Sequence, residues 1–259
     1  MTGALPSEIA EASGVAVSRR NPGILWVHND DDPAILFGID STGMIHGRVR
    51  VRGIKNADWE DIAVAKCGDS TCLYIGDIGD NRHERNYRNV YRIAEPSIND
   101  TEATNLIAYP FVLPGRSDDA EALFVHEQRL YLITKGRRGS ITLFRFPEPL
   151  TSVRPVELEP IMALSGGLVQ LPDMVTGAGT TPNDQFIVVR TYSALQIYRL
   201  ENDQLIPVLE RAFDLHAQHE FQGEGVDIRD DGVAWLVSEK GLSDAPPPIT
   251  RVQCRLPAN

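Results

Sequence analysis

Helical patterning is almost absent from this sequence. Nowhere do apolar residues recur at three- and four-residue spacing over a window long enough for an amphipathic helix, which argues against helical bundles and doubly wound α/β folds. No apolar run reaches the roughly eighteen residues that a helix needs to cross a bilayer, so no membrane insertion is expected. Residues 1–10 lack the basic and apolar regions of a secretory leader, and the chain reads as a mature form without its leader. Basic charge is scarce: 25 Lys and Arg stand against 36 Asp and Glu, a formal net charge of −11. Phosphate backbones need a concentrated basic face, so nucleic acid is excluded as a partner. Nucleophile signatures are missing too. There is no GxSxG elbow, and TGAG at 176–179 is not followed by the GK[ST] of a phosphate loop.

Cysteine is also sparse. Three cysteines cannot make a disulfide scaffold. Cys67 and Cys72, however, bracket a turn between two strands in KCGDSTCLY, where facing positions can approach the Cα separation of a disulfide. A Cys67–Cys72 bridge implies an oxidising compartment, secreted or periplasmic. Two free thiols in a cytosolic protein is the alternative. No second cysteine or histidine pair stands at metal-site spacing, so zinc is not indicated.

What the chain has instead is short alternating strands. The first unit reads SGVAVS, ILWVHND, AILFGID and GRVRVRG, separated by Asn-Pro-Gly, Asp-Asp-Pro and Ser-Thr-Gly punctuation. Similar runs recur, and a small or acidic residue opens each unit: Glu11 in EASGVAV, Glu60 in WEDIAV, Glu121 in AEALFV, Thr176 in VTGAGT and Glu224 in GEGVDI. Spacings of 49, 61, 55 and 48 residues match the blade length of a β-propeller. The expectation is an all-β chain, residues 1–259 forming a single β-propeller domain of five four-stranded blades. Six blades is the alternative if the 61-residue second unit hides extra strands. The last unit has only three strands, and residues 4–10 are the available donor to complete it.

Blade geometry makes residues that are distant in sequence converge. The innermost strand starts, and the second strand ends, on the same face. That mouth would collect the glutamates together with His28, Asp30, Asp77, Asp80, Asn81, Lys135, Arg190, Tyr192, Glu239 and Lys240. Two unit charges about 5 Å apart repel by roughly 3 kcal/mol at an effective dielectric near 20. Four carboxylates at one mouth therefore need a bound cation, raised pKa values or cationic partners. All-oxygen donors suit Ca2+, with Mg2+ or Mn2+ behind it. Glu11, Glu60, Asp77, Asp80, Glu121 and Glu224 are the candidate metal ligands, and Asp30, Asn81, Tyr192, Glu239 and Lys240 the candidate substrate contacts. Lys135 or Arg190 would stabilise developing negative charge, and His28 or an axial carboxylate would activate water. The plainer reading makes the glutamates caps on backbone amides and GDIGDN a glycine-rich turn.

At NADWEDIAV, CLYIGDIGDN and EASGVAVSRRNPGILWVHND the chain resembles a group of bacterial secreted propeller proteins. More distantly it is similar to the calcium-dependent hydrolytic propellers of the gluconolactonase and paraoxonase type and of the phytase-like esterase type. The resemblance implies an axial metal, with Glu11 or Glu60 as axial glutamate and Asp77, Asp80 or Asn81 supplying further oxygens. The family's pair of axial asparagines is not matched, because Glu121 and Thr176 stand where they are expected. Two functions follow. One is a promiscuous metal-dependent hydrolase of small-molecule esters, lactones or phosphoesters. The other is a non-catalytic propeller with a structural ion and a protein or glycan partner.

Overall fold

Alternating sequences, with β-branched and aromatic residues on both faces, form strands buried on both sides. The computed structural model describes residues 2–31, 33–82, 84–115, 119–137, 140–164, 174–208, 212–216, 220, 222–242 and 244–257. After β1 (Gly3–Ala4), the first antiparallel sheet comprises β2 (Ala12–Val17), β3 (Leu25–Asn29), β4 (Ile35–Ile39) and β5 (Ile45–Val51). The second uses β6 (Trp59–Cys67), β7 (Ser70–Asp77), β8 (Arg88–Ala94) and, after the short β9 (Glu102–Ala103), β10 (Ile107–Val112). The third has β11 (Ala120–His126), β12 (Arg129–Thr134), β13 (Thr142–Arg145) and, after β14 (Val156–Glu157), β15 (Glu159–Ala163). The fourth has β16 (Val175–Thr180), β17 (Ile187–Thr191), β18 (Ala194–Glu201), β19 (Gln204–Pro207) and β20 (Phe213–Asp214), which also pairs β18. The fifth has β21 (Gln222–Ile228), β22 (Val233–Glu239) and β23 (Pro248–Gln253), and β1 completes it.

Inner strands β2, β6, β11, β16 and β21 each contact the next, and β21 contacts β2, so the ring closes as a five-bladed β-propeller. Closure uses the N-terminal segment, with Gly3 opposite Ile249 and Ala4 opposite Pro248. The added strand is shorter than the 4–10 segment expected to supply it. Two outer edges are covered by borrowed strands: β9 runs parallel to β5, and β14 parallel to β10. Each covers an edge of the preceding blade that would otherwise be open to pairing.

Strand alternation sorts side chains between the two neighbouring blades. In the first blade, Ala16 and Trp26 pack with Trp59, Ile62 and Leu73 of the second, whereas Val15 and Val27 pack with Val237 and Ile249 of the fifth. Each of the five interfaces holds its own apolar cluster. Trp26 and Trp59 are fully buried, inter-blade packing as their strand positions suggest. Cys67 and Cys72 are disulfide-bonded at a Cα separation of 5.8 Å. The bridge clips the β6–β7 hairpin beside a two-residue turn in which Gly68 has φ 61°.

Candidate metal centre at the axial mouth

All five inner strands carry a β-bulge close to their start. The register breaks between Ala12 and Gly14, Trp59 and Asp61, Ala120 and Ala122, Val175 and Gly177, and Gly223 and Val226. A bulge leaves an unpaired residue and re-aims its side chain. The residues so placed are Ser13, Glu60, Glu121, Thr176 and Glu224, all buried. This corrects the repeat alignment in the first unit, where Ser13, not Glu11, is the structural counterpart of Glu60. Glu11 falls two residues earlier, beside the positions of Asp58 and Asp119 in their blades, and is exposed. A two-residue register error cannot be seen in the sequence, because both positions keep the same strand parity.

The residue after the bulge sets how closely the inner strands approach one another. Gly14, Ala122, Gly177 and Gly225 occupy it in four blades, and a Cβ on Gly225 would lie 2.7 Å from the Val15 nitrogen. In the second blade the same place holds Asp61, fully buried. Its Oδ2 accepts the amides of Leu123 at 2.8 Å and Ala178 at 3.1 Å, while Oδ1 accepts its own neighbour Ile62 at 2.9 Å. One carboxylate therefore ties three blades and fills the axis.

Above it, oxygen atoms of Glu60, Asp119 and Glu121 lie within 4.8 Å of one another, and all three residues are buried. Asp119 Oδ1 accepts the Asp80 amide at 2.8 Å, but Oδ2 has no hydrogen-bond partner. Glu60 accepts from the Ser13 hydroxyl at 3.2 Å, and its carboxyl shares a hydrogen bond with Asp58. Lys135 Nζ reaches Glu121 Oε1 at 2.7 Å and lies over the Tyr192 ring. Gln222 donates to Glu224 Oε1 at 2.9 Å, and the Tyr192 hydroxyl also bonds the Glu224 carboxylate.

Burial dominates the electrostatics. It pushes the Glu60 and Glu121 carboxyls well above the usual range, aided at Glu60 by Glu121 and Asp58, and at Glu121 by Glu224 and Asp119. Asp58 is pushed up to about 6 by burial and then by Asp119. Burial works against the Lys135 ammonium, but Glu121, Tyr192 and Glu224 together outweigh it and hold it charged. Tyr192 is held protonated by burial and by Glu224. The cluster thus presents surplus acid oxygens, one ammonium and one phenol.

The remaining sequence candidates divide. Asp30 and Glu239 join Glu11 in a second acidic group at the rim, again with oxygens within 4.8 Å. Tyr192 belongs to the cluster, whereas Lys240 is exposed and contributes its backbone amide to Ala10 at 2.8 Å. Asp77 is buried against Arg85 at 2.8 Å and Tyr91 at 3.2 Å. Asp80 binds Arg88 at 3.2 Å and the amides of Glu84 and Arg85. These two acids organise the GDIGDN loop and do not share an oxygen cluster with the glutamates. Asn81 accepts from Arg137 at 2.8 Å at the surface. Arg190 is fully buried, paired with Glu220 and donating to the carbonyls of Gly225 and Val237 at 2.9 Å each, so it braces blades four and five. His28 has no exposed surface; its Nδ1 donates to the Asn29 carbonyl at 3.0 Å, its ring meets Trp59 edge-on, and burial lowers its pKa to about 4. Such a ring stays neutral and beyond the reach of solvent.

Asp58 and Asp119 were absent from the sequence candidates. Their signal is the shared Asp-x-Glu doublet, Asp58-Trp59-Glu60 and Asp119-Ala120-Glu121, which places an acid on each side of the bulge entry.

No protein-family model and no curated protein matches the chain. Solved structures do. The PQQ-bound aldose sugar dehydrogenase of Streptomyces coelicolor superposes with a TM-score of 0.55 at 14% identity, covering 96% of this chain and 95% of that one. A glucose dehydrogenase superposes with a TM-score of 0.53 at 11% identity, covering 98% and 99%. The neighbours are propeller enzymes, and at such identities the likeness is one of fold.

Proposed function

We propose that the protein is a metal-dependent hydrolase of ester, lactone or phosphoester substrates, working at the axial mouth with one divalent cation, best Ca2+. The observation that carries this reading is the Glu60–Asp119–Glu121 triad, whose oxygens fall within 4.8 Å of one another, together with the unpartnered Asp119 Oδ2. Oxygens about 2.3–2.6 Å from a shared calcium lie up to about 5 Å apart, so the donor set fits an oxygen-only ion. Glu224 would be the fourth acid beside it. A cation there would polarise a carbonyl or phosphoryl oxygen. The chain's own groups would do the rest. The Lys135 ammonium and the Tyr192 hydroxyl, both held protonated, supply hydrogen bonds to developing negative charge. Glu224, with a raised pKa and at the inner-strand bulge, is the carboxylate to take a proton from water, the alternative to His28 that the sequence also offers.

A disulfide and the lack of any membrane-crossing helix among the described residues are compatible with secreted or periplasmic placement. The non-catalytic reading rests on one observation, that Lys135 already neutralises Glu121 without substrate. The deciding experiment measures metal content of the purified protein. It then assays aryl esters, lactones and phosphotriesters before and after chelation, and with Glu60→Gln. Chelation-sensitive turnover lost in Glu60→Gln supports the hydrolase. Stoichiometric metal with no turnover on any substrate leaves the binding module.

A further inference from the structure

The far ends of the inner strands border a cavity that the axial site does not use. β2 ends at Val17, β16 at Thr180 and β21 at Ile228, and these residues line a hollow of about 500 Å3 shared by blades one, four and five. Small-molecule sites have volumes of this order. The bulges and the acids of the axial mouth lie at the other ends of the same strands.

Two polar groups on the cavity wall are unused. Thr180 is only 6% exposed and its Oγ1 has no hydrogen-bond partner, and the Arg19 Nε is buried without one. Among the described residues no carboxylate forms an ion pair with Arg19. The acids of the wall have other commitments. Asp227 accepts the Val17 amide at 2.7 Å and the Ile228 amide at 2.8 Å, and Asp231 pairs with Arg229 at 3.1 Å. Asp230, exposed, accepts the Asn183 amide at 3.1 Å through one oxygen. Buried donors without an acceptor are costly, so the wall favours a ligand that brings one. The loop carrying Arg19 is already ordered from blade two, because Glu95 accepts the Ser18 hydroxyl at 2.5 Å and the Arg19 amide at 3.2 Å. Little ordering entropy is then lost on binding.

We infer that this cavity binds a free α-amino acid with an apolar side chain. Its carboxylate bonds the Arg19 guanidinium and the Thr180 hydroxyl, a charge-assisted pairing of the kind guanidinium geometry suits. A plain anion fits less well, because the wall sets Asp227, Asp230 and Asp231 against only Arg19 and Arg229. The ammonium of a zwitterion offsets that surplus, with Asp230 as its acceptor. Val17, Pro22, Pro182 and Ile228 form the apolar wall for the side chain. The site is remote from the axial mouth and does not rest on the hydrolase reading.

The test is titration of the whole chain with L-leucine, read by saturation-transfer NMR and calorimetry. Binding is expected. Isocaproate, which lacks the ammonium, and isoamylamine, which lacks the carboxylate, should each bind at least about tenfold more weakly. Arg19→Met is expected to lower leucine affinity by about tenfold or more, and Thr180→Val, a near-isosteric change that should leave folding intact, by about fivefold. Asp230→Asn keeps an acceptor for the Asn183 amide and should weaken leucine but not isocaproate. Glu60→Gln, at the other mouth, should leave leucine binding as it is. Absence of leucine binding to the unmodified protein would overturn the site. Isocaproate binding as tightly as leucine would reduce it to a plain anion site and overturn the amino-acid assignment. Leucine affinity unchanged in both Arg19→Met and Thr180→Val, or lost in Glu60→Gln, would place the ligand elsewhere and overturn it too.

Discussion

Asp61 Oδ2 accepts the backbone amide of Ala178 across the propeller axis, 3.1 Å away and 117 residues along the chain. It accepts Leu123 as well, so blades two, three and four converge on one side chain. Burial drives its pKa well above the ordinary range even though three amides oppose the shift. Replacing it with alanine removes the acceptor of three buried N–H groups, two of them in other blades, and opens a void in a packed axis, an expected loss of about 3 kcal/mol or more. Urea denaturation of Asp61→Ala would measure it. Gly225→Ala should also destabilise, by roughly 1–3 kcal/mol, because its Cβ would press on the backbone of β2.

Lys135 is the only cation within hydrogen-bonding distance of the glutamates on the bulges among the described residues. Lys135→Met leaves Glu121 buried beside other acids, and the chelated protein should lose about 3 kcal/mol. Calcium is expected to restore much of that loss. Thermal melts with and without chelator read both effects, and a variant indifferent to calcium would contradict the axial site.

Burial raises Glu239 to about 8, and Asp30, Asp58 and Asp227 to about 6. Groups raised on folding bind protons more tightly in the folded state, so their stabilising contribution is complete below the unfolded values near 4. It is lost as pH rises through the folded ones. Melting of the chelated protein should therefore fall steadily between about pH 4 and pH 8. Saturating calcium should flatten that fall. A pH series of melts in chelator and in calcium is the measurement.

Reducing the Cys67–Cys72 bridge frees a hairpin loop whose closure contributes roughly 2 kcal/mol, equivalent to about 5 °C in a domain of this size. The bridge lies at the end of β6 remote from the bulges, so metal binding should survive reduction. Parallel melts and calcium titrations with and without a phosphine reductant separate the two effects.

Much of the architecture was legible beforehand. Alternation and punctuation located the strands, the recurring units counted the blades, and the missing last strand pointed to the N-terminus. The candidate site is less legible. Glu60, Glu121 and Glu224 show as repeats, and Tyr192 and Lys135 as strand ends. Asp119 is marked only by the Asp-x-Glu doublet it shares with Asp58, a signal too short to stand out from the other acids of DDAEAL. The composition of GDIGDN suits metal binding, yet Arg85 and Arg88 pair with Asp77 and Asp80. His28 stands at a strand end, where the sequence allows a base, but the strand's alternation turns it against Trp59.

By itself the sequence determined what periodicity and local chemistry can determine. It specified an all-β chain, five repeating units, a turn able to bring two cysteines together, and a surplus of acid at the strand starts. Those follow from nearest-neighbour rules along a strand. Tertiary structure alone decided which acids meet. The bulge in each inner strand re-aims one side chain, and the closing of the ring sets distances between residues dozens to hundreds of positions apart. Neither leaves a mark in local pattern. Ser13 therefore stands where Glu11 was expected, and Glu11 joins Asp30 and Glu239 across the seam.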